Sequence, residues 1–325
     1  GLSLAMNRRL LFDLSLTVLP PQILESSLSA NKAPATKPVK KPKARKPKPL
    51  PERGARLTAA TADKHHLYEA AVQCVEADVD FFQRLFKKER GRPLRTLKED
   101  FSGTSGLACD FVRRHKDNQA WGVDLHAPTL AWGRKHHVSR LGEAASRVTL
   151  IQDNVLNVTS PTVDMVCALN FSYQVFKERA ALVHYFRQAR ASLNPDGLFV
   201  LDAFGGTEAF DTMEEDRKIP ASITPEGGRL AAFTYVWEQA KFNVSTHDIL
   251  CHIHFKFKDG TRMNKAFTYD WRLYTLPELR DMLLEAGFAR ADAYMEGWDD
   301  EEETANGIFR KRKAFENMAG WVGYM

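Results

Sequence analysis

Between Leu94 and Phe204, short apolar runs alternate with helical patterns, and this rhythm restricts the fold more than any other feature of the chain. Strand-like runs fall at Leu94–Glu99, Ala120–Leu125, Val148–Asp153, Val163–Leu169 and Leu198–Phe204. Helical patterns occupy about Thr104–His115, Pro128–Arg140 and Glu178–Leu193, with Pro128 suited to a first helical turn and Asn194–Gly197 to a tight turn. Strands that take turns with helices form βαβ units. Such units build a parallel sheet whose two faces are both covered.

The flanks extend this pattern. Leu67, Ala71, Val75, Val79, Phe82 and Phe86 recur every three or four residues, predicting one helix over Ala62–Lys88 that stops at Gly91-Arg92-Pro93. Residues 205–270 lose the βα rhythm. Phe233–Trp237, Ile249–Phe257 and Arg262–Trp271 instead alternate in the manner of antiparallel strands, with a turn at Lys258-Asp259-Gly260. A helix returns at Leu276–Ala286, with Gly287 placed to cap it, and Ala289–Met295 and Ala319–Tyr324 read as two last strands.

Charge divides the chain unevenly. Residues 1–56 carry 12 Lys and Arg against 3 Asp and Glu, whereas the other 269 residues carry 34 against 38, within chain totals of 46 and 41. The segment Asn31–Pro51 alternates lysine with proline and has no apolar face to bury, which predicts an extended, disordered basic tail over 1–56. The body from residue 57 is mildly acidic and unsuited to tracking a phosphate backbone. The tail is suited to weak contact with a polyanion or an acidic protein. Cys74, Cys109, Cys167 and Cys251 are scattered, with no C-x-x-C pair, and read as isolated thiols. No run of about 18 apolar residues is present, so no membrane span is expected. Arg8 to Leu19 loosely resembles a targeting segment, but Asp13 interrupts it. A cytoplasmic location is expected, with an organellar presequence left open.

In an open α/β sheet, ligands lie across the carboxyl ends of the strands. Four segments fall there. Glu99-Asp100-Phe101-Ser102-Gly103-Thr104-Ser105-Gly106 makes a glycine-containing turn into a helix. Gly122-Val123-Asp124 sets a carboxylate about twenty residues further on, a spacing suited to a ribose diol. Gln152-Asp153-Asn154 ends the third strand, and Asn170-Phe171-Ser172-Tyr173 follows the fourth. Each is weak alone, since a glycine turn is often only a turn and an Asp after a strand is often only a helix cap.

Taken in this order, the four segments resemble the class I S-adenosylmethionine-dependent methyltransferases, in particular a branch whose first motif reads Glu-Asp-Phe-(Cys/Ser)-Gly-Thr. The resemblance spans roughly residues 60–325. It takes in Leu67-Tyr68-Glu69, Tyr274–Leu279 and Glu296-Gly297-Trp298-Asp299. It implies a doubly wound, mostly parallel, Rossmann-like seven-stranded sheet, with an antiparallel β lid inserted after the fifth strand, and S-adenosyl-L-methionine as cofactor. Glu99 or Asp100, with Gly103 and Thr104, would border the methionine part of the cofactor. Asp124 would take the ribose hydroxyls, Asp153 the adenine amino group, Asn154 the adenine edge, and Asn170 a place under the sulfonium. Phe101 and Ser105 stand where the family has its first and third glycines, which narrows the approach to the turn.

The acceptor side is less specified. Phe233, Tyr235, Trp237, Trp271 and Tyr274 either line an acceptor pocket or fill the core beneath the lid, and Tyr173 and Glu296 are the polar candidates for acceptor contact. No metal site is expected. His252 and His254 share a strand face without further ligands, and the neighbours within His65-His66 and His136-His137 diverge around a helix. The expected reaction is methyl transfer to an amine or hydroxyl of a small molecule. The alternative is an RNA or protein methyltransferase recruited through the tail. A nicotinamide oxidoreductase would need a G-x-G-x-x-G turn, which Ser102–Gly106 does not supply. A binding protein that merely keeps the fold is the remaining class.

Overall fold

The computed structural model describes residues 57–299, 304–316 and 319–325; the expected basic tail and the acidic run 300–303 lie outside them. Elements follow in the order α1 (Lys64–Val72), α2 (Val75–Arg90), β1 (Thr96–Asp100), α3 (Gly106–Arg113), β2 (Gln119–Asp124), α4 (Ala127–His136), β3 (Val148–Gln152), β4 (Val163–Ala168), α5 (Arg179–Ala191) and β5 (Leu193–Gly205). The inserted unit holds β6 (Met213–Ile219), β7 (Ser222–Ile223), β8 (Arg229–Leu230), β9 (Phe233–Phe242), β10 (Asp248–Lys256) and β11 (Arg262–Arg272). The chain then adds α6 (Leu276–Glu285), β12 (Ala293–Asp299), β13 (Thr304–Arg312) and β14 (Trp321–Tyr324).

The main sheet runs β13-β12-β14-β5-β4-β1-β2-β3. The pairs from β3 to β5 are parallel, and β14 enters antiparallel between β5 and β12. The expected seven strands are present, and β13 is an eighth at the edge. Alternation along the central strands feeds two cores. Met165, Cys167 and Val200 face Phe82, Phe86 and Phe111 of α2 and α3, whereas Val166, Ala168 and Leu201 face Tyr185, Phe186 and Leu279 of α5 and α6. Strand β4 is buried along its whole length, as a central strand of a doubly covered sheet must be.

Three expectations change. The single lead-in helix is two, because Gln73 and Cys74 leave helical geometry. Helix α1 then packs Leu67, Ala70 and Ala71 into a third core under the inserted sheet, while α2 packs on the main sheet. Asn194–Gly197 is a bulge within β5, seen as a register jump between Val163↔Leu193 and Met165↔Leu198. The insertion contains a fourth long strand, β6, giving the order β11-β10-β9-β6, with a separate β7–β8 hairpin. Phe233, Tyr235, Trp237 and Trp271 are buried in the core beneath the lid, and Tyr274 is buried in the core beside α5 and α6, so these aromatics are packing residues.

Candidate active site

Strand order reverses between β1 and β4, where neighbouring loops leave the sheet on opposite sides. Register places the candidates in one row at this edge. Asp100 pairs with Val123 and Ala168, and Asp124 pairs with Gln152, which precedes Asp153. Asn170 follows two residues after Ala168.

The turn after β1 has an unusual backbone. Phe101, Gly103 and Ser105 all adopt left-handed φ, at +57°, +52° and +58°. Only glycine takes that region without steric cost. Ser102 N–H donates to the Val123 carbonyl (2.9 Å) and Ser105 N–H to the Ser102 carbonyl (2.7 Å), locking the turn to β2. Gly103 N–H donates to Asp124 Oδ2, and His126 N–H to Asp124 Oδ1, each at 2.8 Å. A Cβ on Gly103 would meet no atom within 4 Å, so a ligand can approach this backbone closely. Next to Asp124, the apolar side chain of Leu125 is 70% exposed at the same edge. Sequence reasoning missed it.

The carboxylates of the first motif separate by face. Glu99 accepts the Ala108 N–H (3.2 Å) in the first turn of α3. Burial, together with the like charges of Asp78, Asp124 and Asp100, pushes its pKa up to about 8 despite that bond. Asp100 points the other way, into the core, where Tyr185 donates to it at 3.0 Å and Lys98 lies 3.2 Å away. Burial raises its pKa to about 6 against the pull of Lys98. The expectation that the Asp100 side chain borders a ligand is therefore corrected. Strand alternation turns it from the edge, and Lys98 and Tyr185 hold it inside. Thr104 donates through Oγ1 to Glu69 (2.6 Å), and His137 Nε2 lies 2.6 Å from the same oxygen, so one carboxylate joins α1, the turn and the end of α4.

Asp153 keeps one oxygen on the Asn154 N–H (2.6 Å) and the Asn157 side-chain amide (2.9 Å). Asn154 is exposed and caps its own turn through the Leu156 N–H at 3.0 Å. Asn170 and Phe171 are consecutive left-handed residues (φ +56° and +58°). Their N–H groups donate to the two oxygens of Asp202, at 2.8 and 2.9 Å. Asp202 is fully buried on β5 and sets the position of Asn170. Its signal in the sequence was a lone acid inside the apolar run Leu198–Phe204.

The two acceptor candidates are not brought together. Tyr173 is fully buried in the core beside α5, and burial raises its pKa well above the usual range. The two left-handed residues before it turn the chain inward. Glu296 accepts the Gly307 N–H (2.7 Å) in the β12–β13 hairpin. Elsewhere, His252 pairs with Thr268 (2.9 Å) and His254 with Glu238 (2.8 Å), each within the lid sheet.

No family model matches the chain, and no curated protein sequence does. Solved structures do resemble it. An S-adenosylmethionine-dependent methyltransferase from Clostridium acetobutylicum superposes with a TM-score of 0.56 at 15% identity, over 80% of this chain and 96% of that one. CalS10, an amino pentose methyltransferase from Micromonospora echinaspora solved with its S-adenosylmethionine bound, gives 0.56 at 14% identity, over 84% and 99%. KedS8, a sugar N-methyltransferase from Streptoalloteichus, gives 0.53 at 17%, over 85% and 96%. At such identities the likeness establishes the fold. The sheet with its mostly parallel centre and added antiparallel strands is the Rossmann-like architecture of these methyltransferases.

Proposed function

We propose, starting from this shared architecture, that the chain is an S-adenosylmethionine-dependent methyltransferase acting on an amine or hydroxyl of a small molecule. One observation carries the reading. An open turn of three left-handed residues sits at the strand-order switch, and the carboxylate at the end of the next strand holds its central amide. When bound, the cofactor supplies a methyl group already activated on a cationic sulfur.

The chain's own residues then bind and align. Asp124 keeps lone pairs beyond the two N–H groups it accepts, because a carboxylate offers about four acceptor sites. These suit a ribose diol through short, charge-assisted bonds. Leu125 offers the adenine an apolar face, Asp153 an acceptor for its amino group, and Asn154 a polar edge. Gly103 admits the methionine part, with Glu99 and Thr104 bordering it. Asn170, fixed through Asp202, stands at the sulfonium end. The lid and α1 exclude water from an in-line displacement, for which alignment alone contributes about 7–11 kcal/mol. A general base is required only where the acceptor arrives protonated.

Calorimetry tests the reading directly. S-adenosylmethionine and S-adenosylhomocysteine should each bind saturably and NAD should not. The absence of heat with either sulfur compound at millimolar concentration would overturn the assignment.

A further inference from the structure

The tip of the lid hairpin meets two helices of the body at a cluster that the methyl-transfer reading does not use. Between β7 and β8, Thr224 N–H donates to the Gly228 carbonyl (2.8 Å) and Gly227 N–H to the Thr224 carbonyl (2.9 Å), a tight loop that presents Glu226. His66 comes from the first turn of α1 and His136 from the last residue of α4. His66 Nε2 lies 3.3 Å from Glu226 Oε1 and 3.2 Å from Oε2, and His136 Nδ1 is paired with Oε1. One nitrogen or oxygen of each residue lies within 4.8 Å of the other two, and all three residues are half-buried. Among the described residues no other three His, Cys, Asp or Glu side chains converge in this way.

The rings are held before any ligand arrives. His136 stacks on Trp132 at 4.2 Å and 15° between planes, and His66 stands edge-on to Trp132 at 5.0 Å and to His136 at 5.3 Å. Trp132 in turn donates to Asp63, the N-cap of α1, at 2.7 Å.

We propose that His66, His136 and Glu226 form a divalent transition-metal site, best suited to zinc, which fastens the lid hairpin to the body. Two imidazoles and a carboxylate are a donor set that zinc accepts, with bonds of about 2.0–2.2 Å. Tetrahedral bonds of that length put neighbouring donors roughly 3.3 Å apart; His66 already stands at 3.2–3.3 Å from the carboxylate oxygens, and His136, in direct contact with Oε1, would draw back to admit the ion. Partial burial leaves water as the fourth ligand. Ordinary ion pairing would need no such convergence of three segments on one point, nor an indole to fix the imidazole planes. The ion would tie the lid to α1, which holds Thr104 through Glu69, and to α4, which follows Asp124. The site stands whether or not the chain binds the methyl donor.

The test uses the full chain, purified without a polyhistidine tag and stripped with a chelator. Zinc chloride and cobalt chloride are titrated by calorimetry, by melting temperature and, for cobalt, by visible absorption. One equivalent should bind, raise the melting temperature and give the ligand-field bands of a low-coordinate cobalt site. His66→Ala and Glu226→Ala should weaken binding by more than about 100-fold. Glu226→Gln keeps the side-chain shape and an acceptor for His136 but is a poor ligand, so its melting temperature, measured against its own stripped form, should not rise with metal. Absence of saturable binding at micromolar metal would overturn the site, as would alanine variants that bind like the wild type.

Discussion

Phe101, Gly103 and Ser105 share one backbone conformation, yet only the middle residue is glycine. The left-handed region costs other residues about 1–2 kcal/mol, so the turn stores strain where a ligand would meet it. Ser105→Ala removes the Ser102 hydrogen bond and keeps the strain, whereas Ser105→Gly removes both. The glycine variant should therefore exceed the alanine variant in unfolding free energy by about 1 kcal/mol, as measured by urea denaturation. Asp124→Ala should stay folded and lose about 1.5–3 kcal/mol of S-adenosylmethionine affinity by calorimetry; unchanged affinity would reduce Asp124 to a support for the turn. Glu99 gives a pH signature. Its pKa rises from an ordinary 4.5 to about 8 on folding, so the folded chain keeps a proton that the unfolded chain releases. The stability tied to that proton is full below about pH 4.5 and is lost as pH climbs through about 8. Between pH 6 and 8.5, the urea midpoint of the wild type should fall relative to that of Glu99→Gln.

At the level of elements, Gly133 decides how closely α4 can lie against the first turn. A Cβ there would sit 2.2 Å from the Thr104 carbonyl oxygen. Gly133→Ala should lower stability by about 1–3 kcal/mol and weaken cofactor binding, and a variant that binds and melts like the wild type would show that α4 can retreat freely. The strands and helices from 94 to 204 were legible because hydrophobic period and turn residues agreed there. The break at Gln73-Cys74 was not, because neither residue is a helix breaker and apolar spacing continues through both helices. Two different cores impose the break. Strand β6, Met-Glu-Glu-Asp-Arg-Lys-Ile, hid its alternation under charge, since at a sheet edge its acids pair with Lys256 and Arg262. The row of site residues could be read from spacing. The roles of Asp202, and of His66 with His136 and Glu226, could not, since each depends on partners that only the folded chain brings near.

For the whole molecule, the excess of positive charge is concentrated in residues 1–56. We propose that the basic segment 1–56 contacts polyanions without serving the pocket, given its excess of lysine and arginine over a mildly acidic body. A chain beginning at Leu57 should bind S-adenosylmethionine as the full chain does and lose any salt-sensitive retention on heparin; a matching loss of cofactor affinity would make the segment part of the site. The order of the main sheet carries a further consequence. β14 lies between β5 and β12, bonded to both, although it is later in the chain than either. A ribosome delivers these strands in chain order. While β14 is still inside the exit tunnel, β5 offers a bare row of amides and carbonyls to solvent. On a crowded polysome, that row is a landing place for the same strand of a neighbouring nascent chain.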